Sequence, residues 1–585
     1  METPERSALT PADSVGRAFD EAVARAADRP FLIVPRDPER GWLVDGARIT
    51  YRDAAHDVET LARRYRAAGA GSGVRVALVA QTRPETVLHF LALNRLGASI
   101  VPLGPDATAA ELSYLLTHSR AAAVTGPPSA QARIREAGFG GPFIDLESAA
   151  GDYPSIAACP GTARSMAIQA PPSPPEPRPV TGAAQGKVRP ATTQAASQAA
   201  TAPTTVADRE ASILYTSGST GRPKGCVLTN RYFLTSGASY LRHGGLVAMR
   251  IGEERFYNPL PLFHMNHLAL TLTCALLGTN ALVLTERFSA SKWWREIAET
   301  GATIIHYLGI VVPTLLKRDE EPAEHAHTVR FGMGGGCEPS LRAPFERRFR
   351  FPLVEAWGMS ETGRLLVMSH EPRHGNTRAI GRPYPGLDVR VADASSAEVP
   401  AGTPGELLVR HRADDPSAGF FGGYLDDPQA TASAWRDGWF HTGDVVTQSE
   451  DGTVFFVDRS KNIVRRAGEN IAAAEVEAAL VTHESVLRAA VIAAPDDTRE
   501  EEVYACVVLR EGCEANEATA GTLQAWCGRT LAYFKLPGWI QFRNELPVTS
   551  TQKIRKYDLF GFGEDPRTAK QVFDLRDAKR RPAAG

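Results

Sequence analysis

The sequence has little cysteine and no long apolar run. Its 585 residues include seven cysteines, which are scattered and show no CxxC spacing. A disulfide framework or a zinc site is therefore not expected, and a reducing, cytoplasmic location fits best. No segment reaches the roughly 18 consecutive apolar residues that a membrane span needs. The N-terminal stretch METPERSALTPADSV has acidic residues and no apolar core, so we do not expect a secretory signal.

An excess of charge of one sign is missing as well. The 65 basic and 67 acidic residues give a formal net charge of −2. No global field therefore favours nucleic acid or an anionic membrane as a partner. Hydrophobic residues make up 43% of the chain and charged residues 23%, which is the composition of a globular protein. A chain of this length is expected to form about two to five domains.

Helix and strand patterns alternate in the first third of the chain. The helical pattern PETVLHFLALNRLGA stands between two buried strand patterns, GVRVALVA and SIVPL. This alternation predicts an α/β fold with parallel-rich sheets covered by helices. Short strands and turns from residue 386 to 457 predict a small β-rich, barrel-like unit. The roughly one hundred residues that follow predict a smaller α+β domain.

The alternation stops between about Cys159 and Asp208. This segment has almost no aromatic or large aliphatic side chains, so it cannot bury enough surface to offset its ordering entropy. We predict a disordered insertion at 159–208 within an N-terminal domain at 1–458. A C-terminal domain would follow at 459–563, and a flexible tail at 564–585.

The stretch LYTSGSTGRPKG, from Leu214 to Gly225, predicts a phosphate-binding loop. Glycines let consecutive backbone N–H groups point inward, and hydroxyl groups add donors. Lys224 adds a point charge. The loop is not a Walker loop, because that motif has Ser or Thr after its lysine and here Gly225 follows.

These twelve residues, in this order, resemble the signature loop of the adenylate-forming superfamily, which includes acyl-CoA synthetases, firefly-type luciferases and peptide-synthetase adenylation domains. Further segments resemble the other motifs of the family, with Trp357 in a usual tyrosine position and Ser360 for threonine. They are NPLPLFHMNH (258–267), EAWGMSETG (355–363), GWFHTGD (438–444), VDRSKNIVRRAGENIAAAEVE (457–477) and LPVTSTQKIRK (546–556). The resemblance runs in family order from about residue 15 to 560. It implies a large N-terminal domain and a mobile C-terminal domain.

The resemblance also implies a reaction: an acid attacks the α-phosphate of ATP, giving an acyl-adenylate and pyrophosphate, with Mg²⁺. The implied phosphate-binding residues are Thr216, Ser217, Gly218, Ser219, Thr220, Gly221 and Lys224. The implied adenine and ribose contacts are Gly334, Gly335, Gly336, Trp357, Gly358, Asp444 and Arg459. Ser360 would donate to the α-phosphate, and Glu361 would hold Mg²⁺.

Two lysines carry the implied catalytic cycle. Lys553 matches the cation that the C-terminal domain brings to the attacked phosphate, where it offsets developing charge. Lys461 matches the hinge about which that domain swings between the two half-reactions. Gln552 departs from the family, which usually has glycine before this lysine.

The implied acid pocket contains His264, His267 and Arg364. Peptide-synthetase domains usually have an aspartate at the position of His264, so an α-amino acid substrate is disfavoured. Either the three side chains together form a polar pocket for a compact or anionic acid, or one or two of them face solvent.

Two functions stay open. The first is adenylation of a small polar or aromatic carboxylic acid followed by transfer to CoA, since the C-terminal half resembles crotonobetaine/carnitine–CoA ligases. The alternative is a diazotase-type or amide-forming enzyme, in which an amine attacks the adenylate, for example that of nitrite. A non-catalytic adenylate-binding protein is disfavoured, because Lys224, Glu361, Asp444 and Lys553 are all present. The oligomeric state is open, with a homodimer as one option.

Overall fold

A computed structural model describes residues 12–148, 151–156, 205–216, 223–384, 386–412, 414–459, 462–466, 469–496, 499–548, 554–561 and 564–579. Within these ranges the α-helices are α1 Val15–Ala26, α2 Tyr51–Ala67, α3 Pro84–Arg95, α4 Ala109–Ser119, α5 Gln131–Glu136, α6 Asn230–Arg242, α7 Leu272–Gly278, α8 Trp293–Thr300, α9 Val311–Leu316, α10 Pro339–Phe349, α11 Pro428–Ala434, α12 Ala473–Val481 and α13 Glu517–Cys527. Within the same ranges, no helix is long and apolar enough to cross a bilayer.

The strands of the N-terminal part are β1 Pro30–Val34, β2 Ala47–Thr50, β3 Arg75–Val79, β4 Ser99–Leu103, β5 Ala123–Gly126, β6 Phe143–Asp145, β7 Glu210–Thr216, β8 Lys224–Thr229, β9 Arg255–Tyr257, β10 Ala281–Val283, β11 Ile304–Leu308, β12 Phe331–Gly335, β13 Leu353–Trp357 and β14 Leu366–Val367. The remaining strands are β15 Ala379–Gly381, β16 Leu387–Ala392, β17 Gly405–His411, β18 Trp435–Arg436, β19 Trp439–Gln448, β20 Val454–Arg459, β21 Ile463–Arg466, β22 Glu469–Ala472, β23 Val486–Asp496, β24 Glu500–Leu509, β25 Trp539–Phe542 and β26 Val572–Asp574.

Local sequence explains where the helices begin. Thr50 accepts from the backbone N–H of Asp53, whose carboxylate accepts in return from the Thr50 N–H, so α2 starts with a capping box. Thr108 and Glu111 form the same arrangement at α4. Pro84 opens α3 at a position where its missing N–H costs no helical bond.

Two parallel-rich sheets form the larger part of the molecule. The first has the order β6-β5-β3-β4-β7-β8, and the second the order β14-β13-β12-β11-β9-β10-β1-β2. The strands β6 and β7, on either side of residues 159–208, lie in the same sheet. That segment therefore interrupts one sheet instead of joining two.

An antiparallel sheet follows, with the order β15-β20-β19-β17-β16 and with β18 paired to β19. It corresponds to the β-rich unit predicted for residues 386–457. The fourth sheet, β22-β21-β24-β25-β26 with β23 paired to β24, belongs to the smaller C-terminal α+β domain. The predicted α/β architecture, with a large N-terminal and a smaller C-terminal part, is confirmed.

Part of the segment expected to be a flexible tail is a strand. Residues 572–574 form β26, which pairs antiparallel with β25 through Ile540 and Phe573. Phe573 packs against Phe542, with ring centroids 5.7 Å apart. The prediction failed here because the pairing depends on a partner strand about 30 residues away and not on local pattern.

Candidate active site

A glycine turn at the carboxyl end of β12 marks the centre of the site. The neighbouring strands β11 and β13 run parallel to it and end at the same edge, where ligands bind in open α/β sheets. A methyl group at Gly334 would collide with the Tyr307 carbonyl, and Gly336 has φ +79°. Both positions therefore require glycine, as predicted for a backbone that a ligand approaches closely.

A buried carboxylate that the sequence did not single out anchors this turn. Glu355 on β13 accepts from the Gly336 N–H, from the Tyr307 hydroxyl at 3.1 Å and from Arg342 Nη2 at 3.0 Å. Burial raises the pKa of Glu355, which Arg342 partly counteracts. The only sequence signal was its place at the start of the EAWGMSETG segment.

Three residues predicted at the nucleotide are joined directly. The Trp357 indole N–H donates to Asp444 Oδ2 at 2.7 Å, and Arg459 Nε lies 2.9 Å from Asp444 Oδ1. Asp444 and Arg459 are paired across β19 and β20. The Asp444 carboxylate is thus held between the end of β13 and the antiparallel sheet, and it is almost fully buried.

The predicted phosphate loop connects two paired strands. Thr216 at the end of β7 is paired with Lys224 at the start of β8. The chain around Tyr424 extends this pairing, because Cys226 forms an isolated bridge with Tyr424. Lys224 Nζ lies 4.9 Å from the Tyr424 ring centroid and 3.8 Å from Asp427 Oδ2.

Tyr424 also connects the loop cation to the predicted metal ligand. Its hydroxyl donates to Glu361 Oε1 at 2.9 Å. Burial raises the pKa of Glu361, and the bond from Tyr424 opposes that rise. Ser360, partly exposed, precedes Glu361 on the turn after β13, and Gly358 is exposed at the start of that turn.

A single carboxylate such as Glu361 suits a Mg²⁺ ion that arrives bound to the phosphates of a substrate. Mg²⁺ is commonly bound through one or two carboxylates together with substrate phosphates and water. Over the described ranges, no group of three or more His, Cys, Asp or Glu residues could hold a metal by itself. Glu361 would therefore supply one protein ligand, and phosphate oxygens would complete the shell.

The two predicted pocket histidines lie at the start of a π-helical turn, Asn266–Thr271. His267 Nδ1 lies 2.6 Å from the Leu260 carbonyl, so Nδ1 carries the proton and Nε2 is an acceptor. Among the described residues, neither His264 Nε2 nor His267 Nε2 has a hydrogen-bond partner, although both atoms are buried. Burial lowers the pKa of each histidine to about 4, so both are neutral at pH 7.

A cleft of about 430 Å³ adjoins these histidines. Leu260, whose carbonyl orients His267, lines it together with Phe263, whose ring lies 4.7 Å from that of His264. The other lining residues are Gln81, Thr82, Pro105, Asp106, Pro259, Pro261, Glu286, Arg287, Phe288, Leu308, Ile310 and Val311. The NPLPLFHMNH segment supplies four of these lining residues, and the rest of the walls comes from four other segments of the chain.

Arg364, the third predicted pocket residue, is also buried. Its guanidinium carbon lies 5.6 Å from the Phe420 ring centroid. Burial lowers the Arg364 pKa to about 10, and the nearby Tyr384 opposes that shift. No ion pair joins Arg364 to a carboxylate among the described residues.

Arg364 and the π-helical turn both lie near α6. A methyl group at Gly419 would lie 3.0 Å from Arg364 Nη2 and 2.9 Å from Thr235 Oγ1 on α6. Gly237, two residues further along α6, faces Thr273 of α7, and α7 continues the π-helical turn. Among the described residues, Arg364 Nη1 is buried without a hydrogen-bond partner, as are the Nε2 atoms of both histidines, and the place of Arg364 in the acid pocket stays a prediction.

A second carboxylate that the sequence did not single out lies beside the predicted hinge. Asp458 accepts from Asn462 Nδ2 at 3.1 Å and from the Ala474 N–H at 2.8 Å. It thereby connects β20 with the first turn of α12, on either side of residue 461.

Several predicted residues lie outside the described residues, and their roles stay predictions. They are Ser217, Gly218, Ser219, Thr220, Gly221, Lys461, Gln552 and Lys553.

Two protein-family models match the chain. The model described as AMP-binding enzyme matches residues 19–425. The model described as AMP-binding enzyme C-terminal domain matches residues 475–553. The first match includes the glycine turn, Trp357, Glu361 and both histidines.

Individual proteins are similar over nearly their whole length. Sulfoacetate–CoA ligase of Cupriavidus necator is 30% identical over 94% of this chain and 97% of its own. Crotonobetaine/carnitine–CoA ligase of Salmonella typhimurium is 28% identical over 88% of this chain and 93% of its own. The structure of o-succinylbenzoate–CoA synthetase from Bacillus subtilis with ATP and magnesium superposes with a TM-score of 0.73 at 22% identity, covering 93% of this chain and 98% of that one.

Proposed function

We propose, from the premise that this chain belongs to the AMP-binding enzyme family, that it adenylates a small polar carboxylic acid and transfers the acyl group to CoA. The observation that carries this proposal is that Tyr424 links Lys224 to Glu361, while Trp357, at the end of the strand beside the glycine turn, holds Asp444. These are the charges that adenylation requires: a cation at the phosphates, a carboxylate for Mg²⁺ and an acceptor for the ribose hydroxyls.

In the first half-reaction, a carboxylate oxygen of the acid attacks the α-phosphorus of ATP, and the bond to pyrophosphate breaks. Lys224 would neutralise charge on the departing pyrophosphate, and Lys553 would do so at the attacked phosphate. Glu361 would hold Mg²⁺, which when bound would supply further neutralisation at the phosphate oxygens. In the second half-reaction, the CoA thiolate attacks the acyl carbon, and AMP leaves.

The acid pocket is proposed at the two histidines and the adjoining cleft. Because His267 donates through Nδ1 to Leu260, its Nε2 can only accept. Neutral histidines also offer no full positive charge to a second carboxylate. We therefore favour an acid with a hydrogen-bond donor, such as a hydroxyl or phenol group, over an acid with a second anionic group. This refines the compact or anionic acid that the sequence suggested.

The test measures pyrophosphate release with ATP, Mg²⁺ and pairs of acids that differ only by a hydroxyl group, followed by thioester formation after CoA is added. We expect hydroxylated acids to be turned over faster and to yield CoA thioesters. Pyrophosphate release without any thioester would overturn CoA as the acceptor. No pyrophosphate with any acid would overturn the whole proposal.

The amine-attack alternative is tested in the same assay, with nitrite and an aryl amine in place of the acid and CoA. No observation on the described residues favours it, and the two curated relatives above are named as CoA ligases. Pyrophosphate release with nitrite alone would revive it.

A further inference from the structure

The described residues 564–579 extend past residue 553, where the match to the C-terminal family model ends, and they pack on the C-terminal domain. Besides the pairing of β26 with β25, the Leu575 N–H donates to the Gly538 carbonyl at 2.8 Å. Gln524 Nε2 donates to the Leu575 carbonyl at 2.9 Å. This C-terminal segment, 564–579, is thus built into the domain.

The C-terminal segment places a lysine inside the domain. The Lys579 side chain is 0% exposed, and so is that of its partner Glu502 on β24. Lys579 Nζ donates to Glu502 Oε1 at 2.6 Å and to the Phe534 carbonyl at 3.2 Å. Lysines are almost never fully buried unless paired, and burying an ammonium group is costly without a well-placed carboxylate. Burial also lowers the Lys579 pKa to about 8, and Glu502 opposes that shift.

The other oxygen of the Glu502 carboxylate binds a residue of a β-hairpin. Arg466 Nε donates to Glu502 Oε2 at 2.7 Å, and the Arg466 side chain is only 8% exposed. Arg466 is the last residue of β21, which forms an antiparallel hairpin with β22. Glu502 therefore stands between the C-terminal segment and this hairpin, with one oxygen bound to each.

The geometry also fixes which oxygen each partner receives. Glu502 Oε1 accepts from Lys579 and from the Val503 N–H at 2.8 Å, which leaves Oε2 directed to Arg466. Without Lys579, Oε1 of Glu502 keeps only the Val503 N–H as a donor among the described residues. The Arg466 side chain is committed to this internal pair.

We propose that Lys579 is a positioning residue for the second half-reaction. Through Glu502 it orients Arg466, and with it the β21–β22 hairpin, for attack of the acceptor thiol on the adenylate. This inference rests on the proposed function and on the resemblance of residues 457–477 to a family motif, in which the hairpin directly follows the implied hinge residue Lys461.

The experiment compares Lys579→Met and Lys579→Arg in the full-length protein. The matched control is Lys570→Met, since Lys570 lies in the same segment and is exposed. Pyrophosphate release without CoA reports the first half-reaction, and single-turnover thioester formation from the enzyme-bound adenylate reports the second. We expect Lys579→Met to leave the first unchanged and to slow the second by about tenfold to a hundredfold, the range for a misplaced group far from the chemistry. Lys579→Arg should restore most of the rate, and Lys570→Met should behave as wild type.

Amide hydrogen exchange over 463–466 and 469–472 gives a readout that does not depend on CoA. Lys579→Met should exchange faster there than wild type, while α6 in the N-terminal domain stays unchanged. If Lys579→Met does not fold, Lys579→Gln, which removes the charge opposite Glu502, replaces it and should change both readouts in the same direction by a smaller amount. Unchanged hairpin exchange, an unchanged transfer rate or a parallel loss of both half-reactions would overturn the inference. A wild-type protein that forms no thioester would overturn the proposed function instead, and the exchange measurement would then decide the inference.

Discussion

The nucleotide side and the acid side of the site differ in how their polar groups are partnered. On the nucleotide side, Asp444 is held by Trp357 and Arg459, and Glu361 by Tyr424. On the acid side, the Nε2 atoms of both pocket histidines are buried, and the described residues provide no partner for either. Because a buried polar group without a partner costs free energy, the two sides respond to a ligand differently.

This difference predicts that the proposed nucleotide side and the proposed acid side contribute differently to ligand affinity and to ligand selectivity. A nucleotide group that bonds to Asp444 or Glu361 must compete with a side chain that is already bound there. Such contacts would therefore orient the nucleotide but add little net binding free energy. An acid with a hydrogen-bond donor would satisfy an imidazole nitrogen that has no hydrogen-bond partner among the described residues. The proposed acid side would therefore select acids by the hydrogen-bond donors that they carry. On the proposed nucleotide side, Asp444 and Glu361 already have protein partners.

The largest effect should come from breaking the nucleotide side at Glu361. Glu361→Gln keeps the shape and the bond from Tyr424 but removes the charge that holds Mg²⁺. We expect pyrophosphate release to fall by about 10²–10³-fold, as for loss of one transition-state contact. Asp427→Asn is the matched control, since Asp427 contacts Lys224 only at 3.8 Å. A near-normal rate in Glu361→Gln at saturating Mg²⁺ would contradict the assignment.

The next effect concerns pH and the acid side. The pKa of His267 is lowered by burial to about 4, below its unfolded value, so the unfolded state binds more protons between these values. Its contribution to stability is full above about pH 6.5 and is lost as the pH falls toward 4, by about 3 kcal/mol in all. Denaturant unfolding of wild type should therefore show lower stability at pH 5 than at pH 7.

His267→Gln sharpens this prediction, because it removes the titrating ring from the pocket. The variant should lose less stability than wild type between pH 7 and pH 5. His89 serves for comparison, since it is also buried, with its pKa lowered to about 3, but contacts Tyr65 outside the site. An identical pH dependence in His267→Gln and wild type would show that His267 is not a buried neutral histidine.

A smaller effect is expected at Trp357. Trp357→Phe keeps an aromatic ring for adenine but removes the donor to Asp444, which retains Arg459. We expect the KM for ATP to rise by roughly fivefold, equivalent to about 1 kcal/mol for one hydrogen bond. Trp526→Phe also loses an indole hydrogen bond, to Thr482, and should leave this KM unchanged. Steady-state kinetics at saturating acid would separate the two variants.

The smallest effect should be that of Arg364 on acid binding. Since the proposed acid carries a hydrogen-bond donor and no second anionic group, Arg364→Met should leave the KM for the acid unchanged. A rise in that KM, specific for acids with a second anionic group, would return Arg364 to the pocket that the sequence suggested. Thermal unfolding of the same variant reports any separate loss of packing against Phe420.

The motifs singled out the residues proposed to bind the nucleotide, whose roles stay predictions, but not the residues that support them. Trp357, Glu361, Asp444 and Arg459 all lie within quoted motifs, and the structure brings them together. Tyr424 is 63 residues from Glu361 along the chain, and nothing in a single sequence connects two such positions. Such partners follow only from the sheet pairing that brings β8 beside residue 424.

The acid side and the C-terminal segment show which features the sequence did not predict. The cleft beside the histidines takes only one of its five wall segments from a quoted motif, because segments that are distant in the sequence meet there. From its sequence, the segment 564–579 resembled a charged tail. The pattern did not reveal that Lys579 pairs with a carboxylate 77 residues away. In both cases tertiary packing decides what the local composition leaves open.

The pairing of Thr216 with Lys224 has a consequence for altering the loop between them. Each of these residues is fixed by its place in a strand ladder, so the span that the loop must close is set by the sheet. Lys224 thus takes its position from the pairing of β7 with β8, so substitutions between the two strands should leave this cation in place.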